Sequence, residues 1–243
     1  MDDAGLDNPF WSSLHGRHRH LAQVVGEVAR FPAEYAPFLG VADAGVDVAD
    51  ALASLVAAGE SVYLLGVAPR APDGWLLEAF ADLAQMTCTS TIDVIDGPDV
   101  IELTDAHRAD VLALTALVYP HYFRERTMEL GRYFGIYMLG ERGDNRLAAM
   151  IGERLATDAC QEISAICTHP DFNGRGYARR LTALLTNDVL ARGRTPFLHV
   201  SHANSRARQL YERIGYSHRR DIGFWSLRPK AALTQVAASA KPA

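Results

Sequence analysis

Cysteine is scarce in this chain, and the little there is carries no pattern. Cys88, Cys160 and Cys167 are the only three in 243 residues, an odd number without metal-type spacing, which argues against both a disulfide framework and a zinc site. Buried free thiols are expected, and no metal. Long apolar runs are missing too. No stretch reaches the ~18 consecutive apolar residues of a membrane-spanning helix, and the opening residues lack a basic start followed by an apolar segment. A soluble, cytoplasmic protein with no membrane partner is expected. Basic residues are nearly absent from the first part of the chain. Residues 1–99 hold 4 Arg against 15 Asp and Glu, whereas residues 100–243 hold 20 Lys and Arg against 14 Asp and Glu, so the two parts carry −11 and +6. The acidic part would repel phosphates, and aromatic residues do not interleave with basic ones, so nucleic acid is not expected as a partner.

What is present is enough apolar residue, 49%, for two modest cores. Residues 12–30 read as an amphipathic helix started by Ser12 or Ser13 and stopped before Pro32. Residues 47–58 read as a second helix ended by Gly59, and residues 61–66 and 85–95 as strands by their β-branched content. Gly97 and Pro98 then mark a boundary. Residues 1–97 are thus expected to form a smaller α/β domain of unassigned role, a degenerate copy of the second domain being one reading. Residues 98–228 follow a regular order: a strand at 100–104, helix 105–118, a mixed helical stretch 122–133, and strands near 134–140, 146–155 and 161–168. Helix 176–192, strand 196–201, helix 204–214 and a last strand near 217–227 complete it. The tail, 229–243, is rich in Ala and expected to be flexible.

The most informative stretch runs from Glu162 to Arg180, where an apolar strand passes through a glycine-rich turn into a helix. Gly174 and Gly176 lack Cβ and let a ligand approach the main chain closely. The N–H groups of the first helical turn have no intrahelical partner, so with the helix dipole they form a phosphate cradle. Ten Arg lie between 175 and 220, opposed only by Asp188 and Glu212, a field suited to a polyanionic ligand.

A second segment, Asn204 to Tyr216, narrows the ligand. The two segments together resemble the GCN5-related N-acetyltransferase (GNAT) superfamily, with the two-part architecture of its FR47-like and glycine N-acyltransferase-like members. The turn Asn173, Gly174, Arg175, Gly176, Tyr177, Ala178 is similar to the family's pyrophosphate turn, matching at Gly176 and Ala178. Asn173 departs from it, being shorter than the family's Gln or Arg. The later segment matches the family pattern at Asn204, Ala207, Leu210, Tyr211, Gly215 and Tyr216.

The resemblance implies a GNAT fold: a mixed, mostly antiparallel twisted sheet with splayed parallel strands and flanking helices, preceded by the smaller α/β domain. It implies acetyl-CoA as co-substrate, with the pantetheine arm between the splayed strands, paired to the main chain around Ile166, Cys167 and Thr168. Asn173 to Ala178, Arg179 and Asn204 would complete the cofactor site. Tyr211 takes the family position that protonates the departing thiolate, and Glu162 a position where relatives carry a base acting directly or through water. Glu153 is the substitute base. His199 and His202 are imidazoles able to take protons near neutral pH, although a satisfied histidine is the commoner role. His15, His18 and His20, flanked by Arg17 and Arg19, read as a solvated basic face.

The expected activity is transfer of acetyl to a primary amine, small molecule or peptide, by direct attack in a ternary complex. Alternatives are a longer acyl-CoA and a non-catalytic acyl-CoA sensor. The acidic first part is expected to face the acceptor and favour cationic amines, with the loop 119–133 shaping that cleft. A monomer or homodimer is expected.

Overall fold

The computed structural model describes residues 3–140 and 143–230. A short 3-10 turn leads into α1 (Pro9–His15), whose Pro9 sits in the first turn, where a missing N–H leaves no helical bond unmade. There the helix expected over 12–30 ends. Its remainder is the hairpin of β1 (Gln23–Val25) and β2 (Val28–Arg30). The reason is local: Gly16 closes the helix, and the valines flanking a two-residue turn at Gly26, which adopts φ 56°, favour a strand pair. β3 (Leu39–Val41) completes this small sheet.

Next come α2 (Ala49–Leu55), β4 (Val62–Leu65), β5 (Trp75–Ala79) and β6 (Leu83–Thr87). The second part holds β7 (Ile101–Leu103), α3 (Arg108–Val118), β8 (Tyr133–Leu139), β9 (Asn145–Ala156) and β10 (Cys160–Thr168). It ends with α4 (Tyr177–Ala191), β11 (Thr195–Ser201), α5 (Ser205–Ile214), β12 (Ser217–Ile222) and β13 (Phe224–Pro229).

Among the described residues the main sheet has the order β12-β6-β11-β10-β9-β8-β7, and only β10 and β11 run parallel in it. The expected mixed, mostly antiparallel architecture is what the chain adopts. The boundary expected at Gly97 is not a boundary of this sheet. β6 comes from the first part yet lies between β11 and β12, with Met86 opposite both Leu198 and His218. In return β13 leaves the main sheet and pairs with β4 and β5. β6 is buried through its centre, Ala84, Gln85 and Met86 each at 0% exposure, as a strand covered on both faces must be.

The strand expected over 85–95 stops at Thr87 because residues 88–98 have another task. Both backbone polar groups of Ile92 bond the Asn187 side chain at 2.8 Å, and the Arg180 guanidinium holds the carbonyls of Ile95 and Pro98. The segment is thus strapped across α4. The expected single last strand is two, β12 and β13, joined at Gly223. Of the expected tail, only Pro229 and Lys230 lie within the described residues.

Candidate functional site

The parallel pairing of β10 with β11 ends at Glu162 opposite Phe197. Beyond it β10 bulges between Ser164 and Cys167, where Ala165 takes φ 50°. A left-handed residue other than glycine costs about 1–2 kcal/mol, and bulges re-aim a strand. Here β10 and β11 part, so Ile166, Cys167 and Thr168 face open space on the β11 side while Cys167 and Thr168 stay paired with β9 on the other.

That cleft, of about 620 Å³, is lined by Asn173 through Arg179 together with Ile166, Thr168, Asn204 and Tyr211. Gly174 and Gly176 have φ 79° and 81°, angles a side chain resists. Nothing lies within 4 Å of a Cβ built at Gly174, and only the Ile95 side chain, at 3.0 Å, near one at Gly176. The glycines therefore serve the backbone angle and leave the outer face open to a ligand. The first helical bond of α4 is Arg180 N–H to the Gly176 carbonyl, 3.0 Å. The N–H groups of Tyr177, Ala178 and Arg179 precede it and lack helical partners. No acidic residue stands in this first turn. Of the ten arginines, Arg175, Arg179, Arg206 and Arg213 line the cleft, while Arg180, Arg192, Arg194, Arg208, Arg219 and Arg220 are bonded to other groups.

A second cavity, of about 500 Å³, meets the first at Val118, Ile166, Asn204 and Tyr211. Asn204 caps α5, its side-chain oxygen accepting from Ala207 N–H at 3.2 Å. The Tyr211 ring is buried, and burial pushes its hydroxyl pKa well above the ordinary phenol value, so the proton stays on at neutral pH. Its hydroxyl makes no hydrogen bond among the described residues. A protonated phenol at the junction of two cavities is placed to donate.

Glu162 lies below the second cavity, not on its wall. Arg154 grips it bidentately at 2.8 Å and 2.8 Å, the Leu155 N–H donates at 3.2 Å, and His199 Nδ1 stands 2.8 Å away. Burial alone would raise the carboxyl pKa; the Arg154 charge and these hydrogen bonds outweigh it and hold it far below the usual range. The chain of bonds continues. Gln85 has its oxygen fixed by Arg219 at 2.8 Å, so its amide nitrogen faces His199 Nε2 at 3.0 Å. His199 is thereby held between the two, with Nδ1 toward Glu162 and Nε2 toward the Gln85 amide. Arg219 closes the line on Asp3 and Asp7.

Two other expected candidates, Glu153 and His202, fall outside both cavities, whereas Cys167 lines the second. Glu153 is tied to Arg132 and Arg192, and His202 pairs with exposed Asp221 at 2.9 Å. Cys167 is buried, with its thiol pushed up to about 12 by that burial. The solvated face expected of the histidine trio is corrected at His18. It is buried, bonded to the Ser13 hydroxyl and the Leu130 carbonyl at 2.8 Å each. The described residues contain no cluster able to hold a metal ion and no helix long and apolar enough to cross a membrane.

The first part reaches the second cavity with apolar side chains and not with its expected carboxylates. Among the described residues no carboxylate lines the second cavity; its wall includes Phe10, Phe38, Phe80, Tyr122 and Phe224 with aliphatic neighbours, the charged or titratable Arg154, His121 and His199, and the neutral polar groups of Tyr119, Ser164, Ser201 and Asn204. Sequence reasoning missed this wall and Arg154. The Arg154 signal was legible: a charged pair inside the apolar run of β9 has to find buried partners.

The FR47-like protein family matches residues 136–225. A structure from Novosphingobium aromaticivorans DSM 12444, assigned to the GNAT family of acetyltransferases, is 30% identical. The alignment covers 94% of this chain and 100% of that one with a TM-score of 0.83. A GCN5-related N-acetyltransferase from Kribbella flavida shares the fold, at TM-score 0.60 and 16% identity over 91% of this chain and 95% of that one. The [ribosomal protein bS18]-alanine N-acetyltransferase of Haemophilus ducreyi is 33% identical over 75 residues, 30% of this chain and 50% of the relative. The chain thus spans about half the length of that curated relative. With the parted strands, the glycine cradle and Tyr211 in place, these likenesses mean that the chain belongs to the GNAT family.

Proposed function

We propose that this protein is an acetyl-CoA-dependent N-acetyltransferase that acts on a primary amine by direct attack in a ternary complex. The observation that carries the reading is the meeting of two cavities at Tyr211, one of which opens on the unpaired N–H groups of α4. The pyrophosphate sits on Gly174–Arg179, with Arg206 and Arg213 offsetting its charge. The pantetheine arm follows the parted strands past Ile166–Thr168, which brings the thioester to Tyr211. The amine enters through the second cavity.

In the transfer the amine nitrogen forms a bond to the acetyl carbon, and the carbon–sulfur bond breaks. The thiolate takes the Tyr211 proton, and the amine gives one up. We assign that second proton to His121, an imidazole on the cavity wall whose ring nitrogens make no hydrogen bond among the described residues. Glu162 we assign to positioning. A carboxylate held ionised by Arg154 is a weak base at neutral pH, whereas a general base works best with a pKa near the operating pH.

The test is a thermal-shift titration with acetyl-CoA followed by a screen for CoA release over amines, amino acids, aminoglycosides and peptides. Selective binding to the folded state adds ~2.7 kcal/mol at a hundredfold excess over Kd. Binding without release from any amine would favour a sensor, and preference for a longer acyl-CoA would change the donor.

A further inference from the structure

The second cavity is built at the seam between the two parts of the chain. Phe10 comes from α1, Phe38 precedes β3, Phe80 follows β5, Tyr122 lies in the loop after α3, and Phe224 opens β13. Their rings form one connected wall. Phe10 stacks on Phe38 at 4.3 Å, Phe38 lies 6.2 Å from Tyr122, Tyr122 meets Phe224 edge-on at 5.8 Å, and Phe224 lies 5.3 Å from Phe80. Burial keeps the wall's phenols uncharged, raising those of Tyr119 and Tyr211 and pushing the Tyr122 hydroxyl up to about 12.

The charged groups in the cavity are already engaged. Arg154 is matched by Glu162, with its guanidinium 4.9 Å over the Phe38 ring, and His199 bonds Glu162 and Gln85. A second ammonium on the acceptor would find no carboxylate here, only neutral groups beside the Arg154 charge, a poor exchange for its hydration. A flat apolar body would replace water against five rings, and aromatic faces also attract a single entering ammonium.

We infer that the acceptor is a primary amine carried on an aromatic, otherwise uncharged body, and that the first part of the chain exists in this protein to supply its binding wall. This rests on the transfer reading above and extends it to the acceptor class. Polyamines, aminoglycosides and lysine-like side chains bearing a second positive charge are poor substrates.

The experiment uses the full chain and two readouts. Calorimetric binding of 2-phenylethylamine is compared with that of 1,4-diaminobutane, and CoA release is measured with both in saturating acetyl-CoA. The expected result is kcat/KM for phenylethylamine at least tenfold above that for the diamine, with binding in the same order. Phe80 is 45% exposed, so its replacement leaves the fold intact. Phe80→Ala should weaken phenylethylamine several-fold. Phe80→Glu, which places a carboxylate on the wall, should narrow or reverse the preference. A wild-type preference for the diamine overturns the inference while leaving acetyl transfer standing, as does equal response of the two amines to Phe80→Glu. Binding of phenylethylamine without CoA release from any amine overturns transfer and leaves the aromatic subsite standing. Neither binding nor release overturns both.

Discussion

The two cavities that meet at Tyr211 are built in opposite ways. The cleft proposed for the donor is made of backbone: a bulged strand end, two glycines in left-handed angles and the first turn of α4, supplied largely by one run of about 15 residues. The cavity proposed for the acceptor is made of side chains drawn from both parts of the chain and assembled only when β13 reaches back to β4 and β5. A site formed by main-chain geometry is local, tolerant of side-chain changes and written in glycine positions. A site formed by side-chain packing is global and fails or changes specificity one residue at a time.

The largest effect should come from breaking the backbone site. Gly176→Asp forces a side chain into left-handed angles and sets a negative charge where a pyrophosphate must approach. Acetyl-CoA should then produce no thermal shift in a variant that still folds. Wild-type affinity in that variant would remove the cradle from the mechanism. Glu162→Gln attacks the floor of the other cavity and leaves Arg154 buried without its counter-charge, so unfolding in urea at pH 7 should show a loss of about 3 kcal/mol. The sign of its pH dependence comes from the depressed carboxyl pKa. In the wild type this stabilisation is full above the ordinary glutamate value of about 4.3 and fades as pH falls below it. The gap between variant and wild type should therefore shrink from pH 7 to pH 3, and a constant gap would show that Glu162 is not ionised in the fold.

At the junction, Tyr211→Phe removes a proton donor and little else. Turnover should drop ~10²-fold with acetyl-CoA binding kept, and wild-type turnover would show that the thiolate finds its proton elsewhere. The smallest effect should come from Arg206→Ala with Arg213→Ala. Both side chains border the donor cleft from α5, so KM for acetyl-CoA should rise a few-fold at low salt and the difference should fade at high salt, as screening predicts. A salt-independent change would mean that the arginines act by packing.

The contrast also explains what was legible beforehand. The GNAT sheet, its two motif segments and most of the strand positions from β7 onward could be read because hydrophobic patterning and glycine placement are properties of short windows. Tyr211 stood out because it sits in such a window. The wall of Phe10, Phe38, Phe80, Tyr122 and Phe224 could not be read, since no local pattern says that rings from five segments converge. Glu162 also stood out in the sequence, but its partner Arg154 decides its state, and that pairing exists only across the β9–β10 ladder. The division at Gly97 misled for the same reason: composition changes there, while the sheet does not.

The insertion of β6 between β11 and β12 has a kinetic consequence. During synthesis residues 83–87 emerge long before either strand that will flank them, so the main sheet cannot close until nearly the whole chain has been made. Contacts of such wide sequence separation slow folding, and until they form, β11 and β12 each present an open edge of the kind that templates aggregation. A fragment beginning at residue 98 would keep those edges permanently. Recombinant work on this protein should therefore fare better with the full chain than with its catalytic-looking half.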